Sequence, residues 1–165
     1  MKMLLPVDGS EVSLKAVRWA IELVRSGLRA DIVLANVQEP ASFYEIVTAR
    51  DPKVLENVSE GAGAYLLEAA EALLKDAGLT YETEVASGEP ANMILDIAER
   101  YGCDMVVIGS HGRGGLRSAL LGSVSQAVLH AAQMPVVVVK PDEPEVEEGE
   151  GGEAEAAPEE GGAAP

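Results

Sequence analysis

The stretch MVVIGSHGRGGLRSALLGSVSQAVLHAA, residues 105–132, decides the fold that this sequence predicts. It opens with the apolar run Met105 to Ile108, which is typical of a strand buried on both faces. Residues 109–122 are rich in glycine and serine, and a helical pattern follows from Val124 to Ala132. A strand, a glycine-rich turn and a helix in this order indicate one unit of a parallel α/β sheet.

The same alternation extends along the rest of the chain. Four further strands are predicted at Met3–Val7, Ile32–Val37, Thr80–Val85 and Val136–Val139. Helical patterns lie between them: one capped by Ser10, one from Lys53 to Ala77 and one beginning near Pro90. The order predicts a five-stranded, open, mostly parallel sheet with right-handed crossovers and helices on both faces.

Apolar patterns predict which side chains enter the core. In the second helix the predicted stripe is Leu55, Val58, Ala62, Tyr65, Leu66, Ala69 and Leu73. Trp19 and Tyr65 fall on such faces, so we expect both in the core. The half-polar run Thr80–Val85 predicts an exposed edge strand, in which Glu82 and Glu84 are solvated. Cys103 precedes an apolar run and is expected to be a small buried hydrophobe.

Composition divides the 165 residues into a domain, 1–141, and an acidic tail, 142–165. The tail consists mainly of Pro, Glu, Gly and Ala, which favours disorder. It carries ten of the 28 acids and no basic residue, so the domain keeps 18 acids against 12 Lys and Arg, a net charge of −6. A mildly acidic domain gives no sign of a nucleic-acid surface. The tail is either a solubilising segment, which its composition favours, or a lure for a basic partner.

Other functional classes are excluded or left without support. A single cysteine cannot form a disulfide within the chain. The apolar runs are shorter than the roughly 20 residues of a membrane helix, and the start MKMLLPVDGS has no signal-peptide pattern. We therefore expect a cytoplasmic protein that is not inserted in a membrane.

The segment GSHGRGGLRSALLGS, Gly109 to Ser123, carries the strongest chemical signal. Its glycines allow a ligand to approach the backbone, and Ser123 with Gln126 has capping-box spacing. A helix N-terminus with free N–H groups binds anions, and Arg113 and Arg117 add positive charge. These residues indicate either a phosphate-binding loop or a merely flexible one.

The spacing Gly-x2-Gly-x9-Gly-Ser resembles that of the ATP-binding branch of the universal stress protein family. The first strand and turn, Pro6-Val7-Asp8-Gly9-Ser10, the pair Ser87-Gly88, and the ending Met134 to Val139 are also similar to that family. The resemblance covers about residues 1–141. It implies the strand order 3-2-1-4-5, a Rossmann-like sheet of the adenine nucleotide alpha hydrolase type.

The resemblance also implies a role for each matching residue. Asp8 would accept hydrogen bonds from ribose or adenine, although the residues alone favour a helix-capping acid. Val37 would contact adenine through its backbone, and Arg113 and Ser125 would reach the phosphates. The implied nucleotide-binding residues are Pro6, Val7, Asp8, Val37, Gly109, Gly112, Arg113, Gly122, Ser123, Val124 and Ser125. No catalytic or metal-ligating residue is implied.

The function implied is ATP binding, with Mg²⁺ or Mn²⁺ on the phosphates, in a regulator of the stress response. One alternative is a slow ATPase or phosphotransferase, and another is an interaction module that holds AMP or no ligand. The glycine-rich loop contains no carboxylate to position water, so we expect hydrolysis to be slow or absent. We also expect a homodimer that pairs the last strand, Val136–Val139, and a regulatory partner protein that the sequence does not identify.

Overall fold

The computed structural model describes residues 1–39, 52–112 and 121–142, except for the side chains of 52–60. Its strands are β1 (Lys2–Pro6), β2 (Asp31–Gln38), β3 (Tyr81–Ser87), β4 (Met105–Gly109) and β5 (Val136–Val139). Its helices are α1 (Glu11–Arg25), α2 (Pro52–Asp76), α3 (Pro90–Arg100) and α4 (Ser123–Ala131). Strands and helices alternate in the predicted order. Residues 143–165 lie outside the described part, so the disordered tail stays a prediction.

The strands form one sheet in the order β3-β2-β1-β4-β5. Each of the four pairings is parallel, with Leu4 opposite Val33 in β2 and opposite Val106 in β4. The five-stranded open sheet and its 3-2-1-4-5 order are therefore confirmed. Because every strand runs the same way, all the carboxyl ends lie along one edge of the sheet.

Alternate residues of the strands supply two apolar cores, one on each face of the sheet. Leu5 and Leu34 pack with α1 and α2, whose Val17 and Leu74 are buried against them. On the opposite face, Leu4, Val33 and Val106 of the strands pack with Ile97 of α3 and Val128 of α4. Helices on both faces therefore explain why the central residues of β1, β2 and β4, such as Leu4, Val33 and Val106 with their chain neighbours, are apolar on both faces of the sheet.

The rotation of α2 differs from the predicted one by about one residue. Its buried positions are Gly63, Leu67, Ala70 and Leu74 rather than the predicted stripe through Ala62, Tyr65, Leu66 and Ala69. Gly63 is the cause, because a Cβ there would lie 2.5 Å from Val85 Cγ1 and 2.9 Å from Asn36 Oδ1. The helix lies close to β2 and β3 at this glycine, so the glycine faces inward.

The expectation that Trp19 and Tyr65 lie in the core is wrong, because their exposed fractions are 38% and 71%. Cys103 is buried as predicted, and burial raises the pKa of its thiol. No helix within the described ranges is long and apolar enough to cross a bilayer.

The edge strand β3 is polar and ion-paired. Glu82 lies 3.0 Å from Lys2 Nζ, and Glu84 pairs with Arg100 at 3.0 Å and accepts a hydrogen bond from the Tyr101 hydroxyl. These pairs explain the alternation of β3 without any acid–base chemistry.

Candidate functional site

A cleft of about 510 Å³ lies at the carboxyl edge of the sheet. Its volume falls in the range of small-molecule sites, and its position is where parallel α/β sheets bind ligands. It is lined by Pro6, Val7, Asp8, Ser13, Ala35, Val37, Glu39, Pro90, Ile94, Ile108, Gly109, His111, Gly112, Gly122, Ser123, Val124 and Ser125. The cleft thus contains every predicted site residue except Arg113, which lies outside the described residues.

The turn between β1 and α1 forms the middle of the cleft. Asp8 Oδ1 accepts hydrogen bonds from Ser10 N at 3.0 Å and from Ser10 Oγ at 2.6 Å. Ser10 Oγ in turn accepts from Ser13 N at 3.2 Å, which caps α1 as predicted. Gly9 has a φ of 80°, a conformation that favours glycine. Asp8 therefore supports the helix cap and lines the cleft at the same time.

Asn36 was not predicted to contribute, yet it connects β2 to Val7, a residue that lines the cleft. It is buried in the apolar run of β2, and its Nδ2 donates to the carbonyl of Val7 at 2.7 Å. Gln38 Nε2 donates to Asn36 Oδ1 at 2.5 Å, and Val7 N donates to Ala35 O at 2.8 Å. These bonds hold Val7 beside the end of β2. The signal in the sequence was one amide within the otherwise apolar run Ile32–Val37.

Gly109, the last residue of β4, and Gly112, in the loop that follows, each have a close neighbour where a Cβ would lie. A Cβ on Gly109 would lie 3.1 Å from the backbone of Val12 and Ser13, so this glycine lets α1 pack on β4. A Cβ on Gly112 would collide with the carboxylate of Asp8. The glycine-rich loop is therefore in direct contact with the first turn.

The other end of the loop returns to the same place. Gly122 N donates to Ser110 O at 2.7 Å, and a Cβ on Gly122 would lie 3.1 Å from His111 Cα. Ser125 is buried, and its hydroxyl donates to Ser110 O at 2.6 Å. Its proton is directed at a protein carbonyl, so Ser125 connects the two ends of the loop rather than offering a hydroxyl proton to a phosphate.

The N-cap of α4 is Gly122, and the predicted capping box of Ser123 with Gln126 does not form. Gly122 has a φ of −66°, so steric contact with His111 explains this glycine better than a left-handed conformation does. Gln126 N donates to Gly122 O at 2.9 Å. By helix geometry, the N–H groups of Ser123, Val124 and Ser125 then have no acceptor inside α4. These three residues line the cleft, where such groups favour an anion.

The cleft has an apolar side and a polar side. On the β2 side the lining is apolar at Ala35, Val37, Pro90 and Ile94 and also includes the carboxylate of Glu39. On the β4 side Ile108 and Val124 accompany the more polar His111, Gly112, Gly122 and Ser123. Ser110 Oγ lies 3.0 Å from His111 Nδ1 and holds that ring in place.

The carboxylates of Asp8 and Glu39 are the charged groups of the described lining, which includes no Lys or Arg. Within the described ranges no group of three His, Cys, Asp or Glu side chains is placed to hold a metal ion. A divalent cation would therefore depend mainly on oxygens of the ligand itself.

Comparison with known proteins agrees with this geometry. The model of the Universal stress protein family matches residues 1–140. The chain is 32% identical to universal stress protein MJ0531 of Methanocaldococcus jannaschii, over 84% of this chain and 81% of that protein. It is 34% identical to universal stress protein YxiE of Bacillus subtilis, over 84% of this chain and 98% of the relative.

Solved structures show the same fold. The structure of MJ0577 from Methanocaldococcus jannaschii superposes with a TM-score of 0.72 at 28% identity, covering 87% of this chain and 97% of that one. A universal stress protein in complex with cAMP has a TM-score of 0.62 at 27% identity, covering 84% of this chain and 96% of the other.

Proposed function

The chain belongs to the universal stress protein family, and we propose that its cleft binds an adenine nucleotide, with ATP as the ligand. The observation that carries this proposal is the N-terminus of α4. Three amides without intrahelical acceptors line a cleft whose far side is apolar. An anion attached to a flat apolar group fits both halves of such a cleft, and a nucleotide is a molecule of this kind.

The base belongs on the β2 side of the cleft. Val37, Pro90 and Ile94 provide apolar contacts there, and the exposed backbone at the end of β2 offers hydrogen bonds to the edge of a ring. The ribose then lies next to Asp8, the central acid of the lining. A carboxylate accepts hydrogen bonds from hydroxyl groups, which matches the sugar.

The phosphates belong at the N-terminus of α4. Among the described residues, the amides of Ser123, Val124 and Ser125 and the hydroxyl of the exposed Ser123 offer donors on that side. We propose Mg²⁺ or Mn²⁺ as the counterion on the phosphates. With Asp8 and Glu39 as the acids of the described lining, a bound triphosphate needs a compensating cation.

One comparison supports the nucleotide part of the proposal. A structural neighbour at 27% identity is a universal stress protein in complex with cAMP, so a protein of this fold binds an adenine nucleotide. We propose that this chain acts as a nucleotide-dependent regulator of the stress response, in which a partner protein distinguishes the nucleotide-bound form from the free form.

We also propose a homodimer. In the described sheet β5 is an edge strand of four valines, three of them half-buried, and Leu129 of the neighbouring α4 is 47% exposed. Antiparallel pairing of β5 with the β5 strand of a second copy would provide hydrogen-bond partners for the backbone N–H and C=O groups of its edge. It would also cover these side chains.

The dimer predicts a clear result in sedimentation velocity. Wild-type protein at micromolar concentration should sediment as a dimer, and Val137→Lys should shift it toward the monomer, since a charge at the paired edge opposes association. Thermal unfolding checks that the variant folds. A monomeric wild type contradicts the dimer whatever the variant does.

Mass spectrometry under non-denaturing conditions tests nucleotide binding. The protein mixed with ATP should carry one ATP per chain, and adenosine should compete with it. Inorganic tripolyphosphate should compete weakly, because it lacks the group that occupies the apolar side. No nucleotide adduct, or equal displacement by tripolyphosphate, would show that the cleft is not a nucleotide site.

A further inference from the structure

The amide of Asn36, a buried side chain of β2, is held on both of its polar sides. Its Nδ2 donates to the Val7 carbonyl at 2.7 Å, and its Oδ1 accepts from Gln38 Nε2 at 2.5 Å. A carbonyl only accepts hydrogen bonds, so the NH₂ group of Asn36 must be the part that faces Val7. A Cβ on Gly63 of α2 would lie 2.9 Å from Asn36 Oδ1, so the helix leaves the amide little room to move.

The ladder of backbone hydrogen bonds between β1 and β2 ends next to this amide. Val7 N donates to Ala35 O at 2.8 Å, so the backbone of Ala35 faces β1. Gly88 N, just after β3, donates to Gln38 O at 3.0 Å, so the backbone of Gln38 faces β3. Alternate residues of a strand bond to the same neighbouring strand, so the N–H and C=O of Val37 face the β1 side.

The next step of the ladder would join the N–H of Val37 to the Val7 carbonyl. Among the described residues no backbone bond of this kind forms, and the Asn36 amide bonds to that carbonyl instead. Gly9, whose N–H would continue the ladder to the Val37 carbonyl, has a φ of 80° and belongs to the turn into α1. The two backbone groups of Val37 therefore point past the end of β1, and Val37 lines the cleft.

We propose that Asn36 is a positioning residue for base recognition, which ends the ladder at Val7 and so keeps the N–H and C=O of Val37 available to the ligand. The inference rests on the proposed nucleotide site and adds a selectivity for the base. A donor beside an acceptor matches a 6-aminopurine, whose N1 accepts and whose exocyclic amine donates. A 6-oxopurine such as hypoxanthine has a donor at N1 and an acceptor at position 6, so it should bind more weakly.

Inosine triphosphate (ITP) isolates this effect, because it carries the same ribose and phosphates as ATP and differs at the edge of the base. Affinities for ATP and ITP, each with Mg²⁺, are measured by calorimetry on the full-length chain. Wild-type protein should bind ATP at least about tenfold more tightly than ITP, since both hydrogen bonds to Val37 are mismatched in ITP.

Asn36→Leu removes the amide and keeps a side chain of similar size. The Val7 carbonyl then loses its donor, and the N–H of Val37 should bond to it in place of the base. ATP affinity should fall about tenfold and ITP affinity less than about twofold, so most of the preference for ATP should disappear. Asn36→Ala adds no atoms beside Gly63 and should give the same pattern where the leucine prevents folding.

Val33→Ala is the matched control, because Val33 is a buried residue of β2 whose partner in β1 is Leu4 rather than Val7. It should lower the melting temperature and leave the ratio of ATP affinity to ITP affinity at its wild-type value. An Asn36 that only stabilised the fold would behave like this control. The affinity ratio therefore decides the role of Asn36, and the melting temperature does not.

Amide hydrogen exchange, followed by NMR, tests the same assignment in the wild-type protein. Without ligand, the Val37 amide should exchange at least about tenfold faster than the amide of Ala35, which lies inside the ladder. ATP should slow the exchange of Val37 more than ITP does, because only ATP offers an acceptor at N1.

Equal losses of ATP and ITP affinity in the Asn36 variants would overturn the assignment, as would a Val37 amide that is as protected as that of Ala35 in the free protein. Equal affinities of wild-type protein for ATP and ITP would also overturn it. Wild-type protein still binds nucleotide in these cases, so the proposed function stands. If wild-type protein binds neither ATP nor ITP, the proposed function fails and this inference fails with it.

Discussion

The turn after β1 and the loop after β4 flank the same cleft but are built by opposite means. The first turn depends on side chains, because Asp8, Ser10 and Ser13 form a chain of hydrogen bonds around the start of α1. The second loop depends on missing side chains, because Gly109, Gly112 and Gly122 each have a neighbour where a Cβ would lie. Removing atoms from the first turn costs individual bonds, whereas adding atoms at Gly109 or Gly122 crowds neighbouring backbone.

The largest effect is therefore expected from Gly122→Val. Its Cβ would lie 3.1 Å from His111 Cα, and the branches would separate Gly122 N from its 2.7 Å bond to Ser110 O. Displacing the N-terminus of α4 removes several donors at once, so ATP affinity should fall about a hundredfold or more. Calorimetry measures the loss.

Gly61→Val is the matched control for that variant, because a Cβ at Gly61 has no atom within 4 Å. It should keep wild-type ATP affinity, and circular dichroism should show both proteins folded. If a folded Gly122→Val protein binds ATP as tightly as the control, ATP binding does not depend on the close contact of Gly122 with His111.

A smaller effect, on the order of tenfold, is expected from Asp8→Ala. The change removes an acceptor that we place at the ribose, so ATP, AMP and adenosine should weaken alike. Gly112→Ala should also weaken binding, since its Cβ would collide with the Asp8 carboxylate.

The double variant separates steric contact from loop strain. With Asp8→Ala in place the collision is gone, so adding Gly112→Ala should cost little more. Fully additive losses in titration calorimetry would mean that the two regions act independently and that Gly112 serves another purpose.

The smallest effects are expected from the two serines of α4, and they should differ in kind. Ser123→Ala should weaken ATP about fivefold and leave adenosine unchanged, because the exposed hydroxyl faces the phosphate side. Ser125→Ala should weaken all three ligands by similar small factors and lower the melting temperature by about 4 °C, since it loses the buried bond to Ser110 O. If the Ser125→Ala protein loses affinity for ATP alone, the Ser125 hydroxyl contacts the phosphates, contrary to its inward hydrogen bond.

The sequence predicted the fold well because its signals are periodic. Apolar runs such as Met105–Ile108 and the stops at Gly27, Gly78 and Gly102 mark the elements, and all three glycines have positive φ. The order of the strands came from family resemblance, since alternation alone does not place β4 beside β1. The rotation of α2 was missed because the predicted stripe was drawn through apolar side chains, whereas Gly63 has no side chain and yet faces β2 and β3.

The candidate site was predicted as a set of residues but not as a set of contacts. The N-cap at Gly122 in place of Ser123, and the inward hydroxyl of Ser125, depend on how the loop closes against Ser110. Asn36 supports the lining residue Val7 from the neighbouring strand, and Glu39 enters the lining just after the end of β2. Such long-range contacts leave no periodic trace in the sequence.

Calorimetric titration of the full-length wild-type protein with ATP and Mg²⁺, repeated after saturation with adenosine, tests whether the cleft binds a nucleotide. We expect saturable binding of one ATP per chain, and loss of that heat when adenosine occupies the apolar side of the cleft. A folded protein that shows no saturable binding at millimolar ATP would contradict it, as would ATP binding that saturating adenosine leaves unchanged.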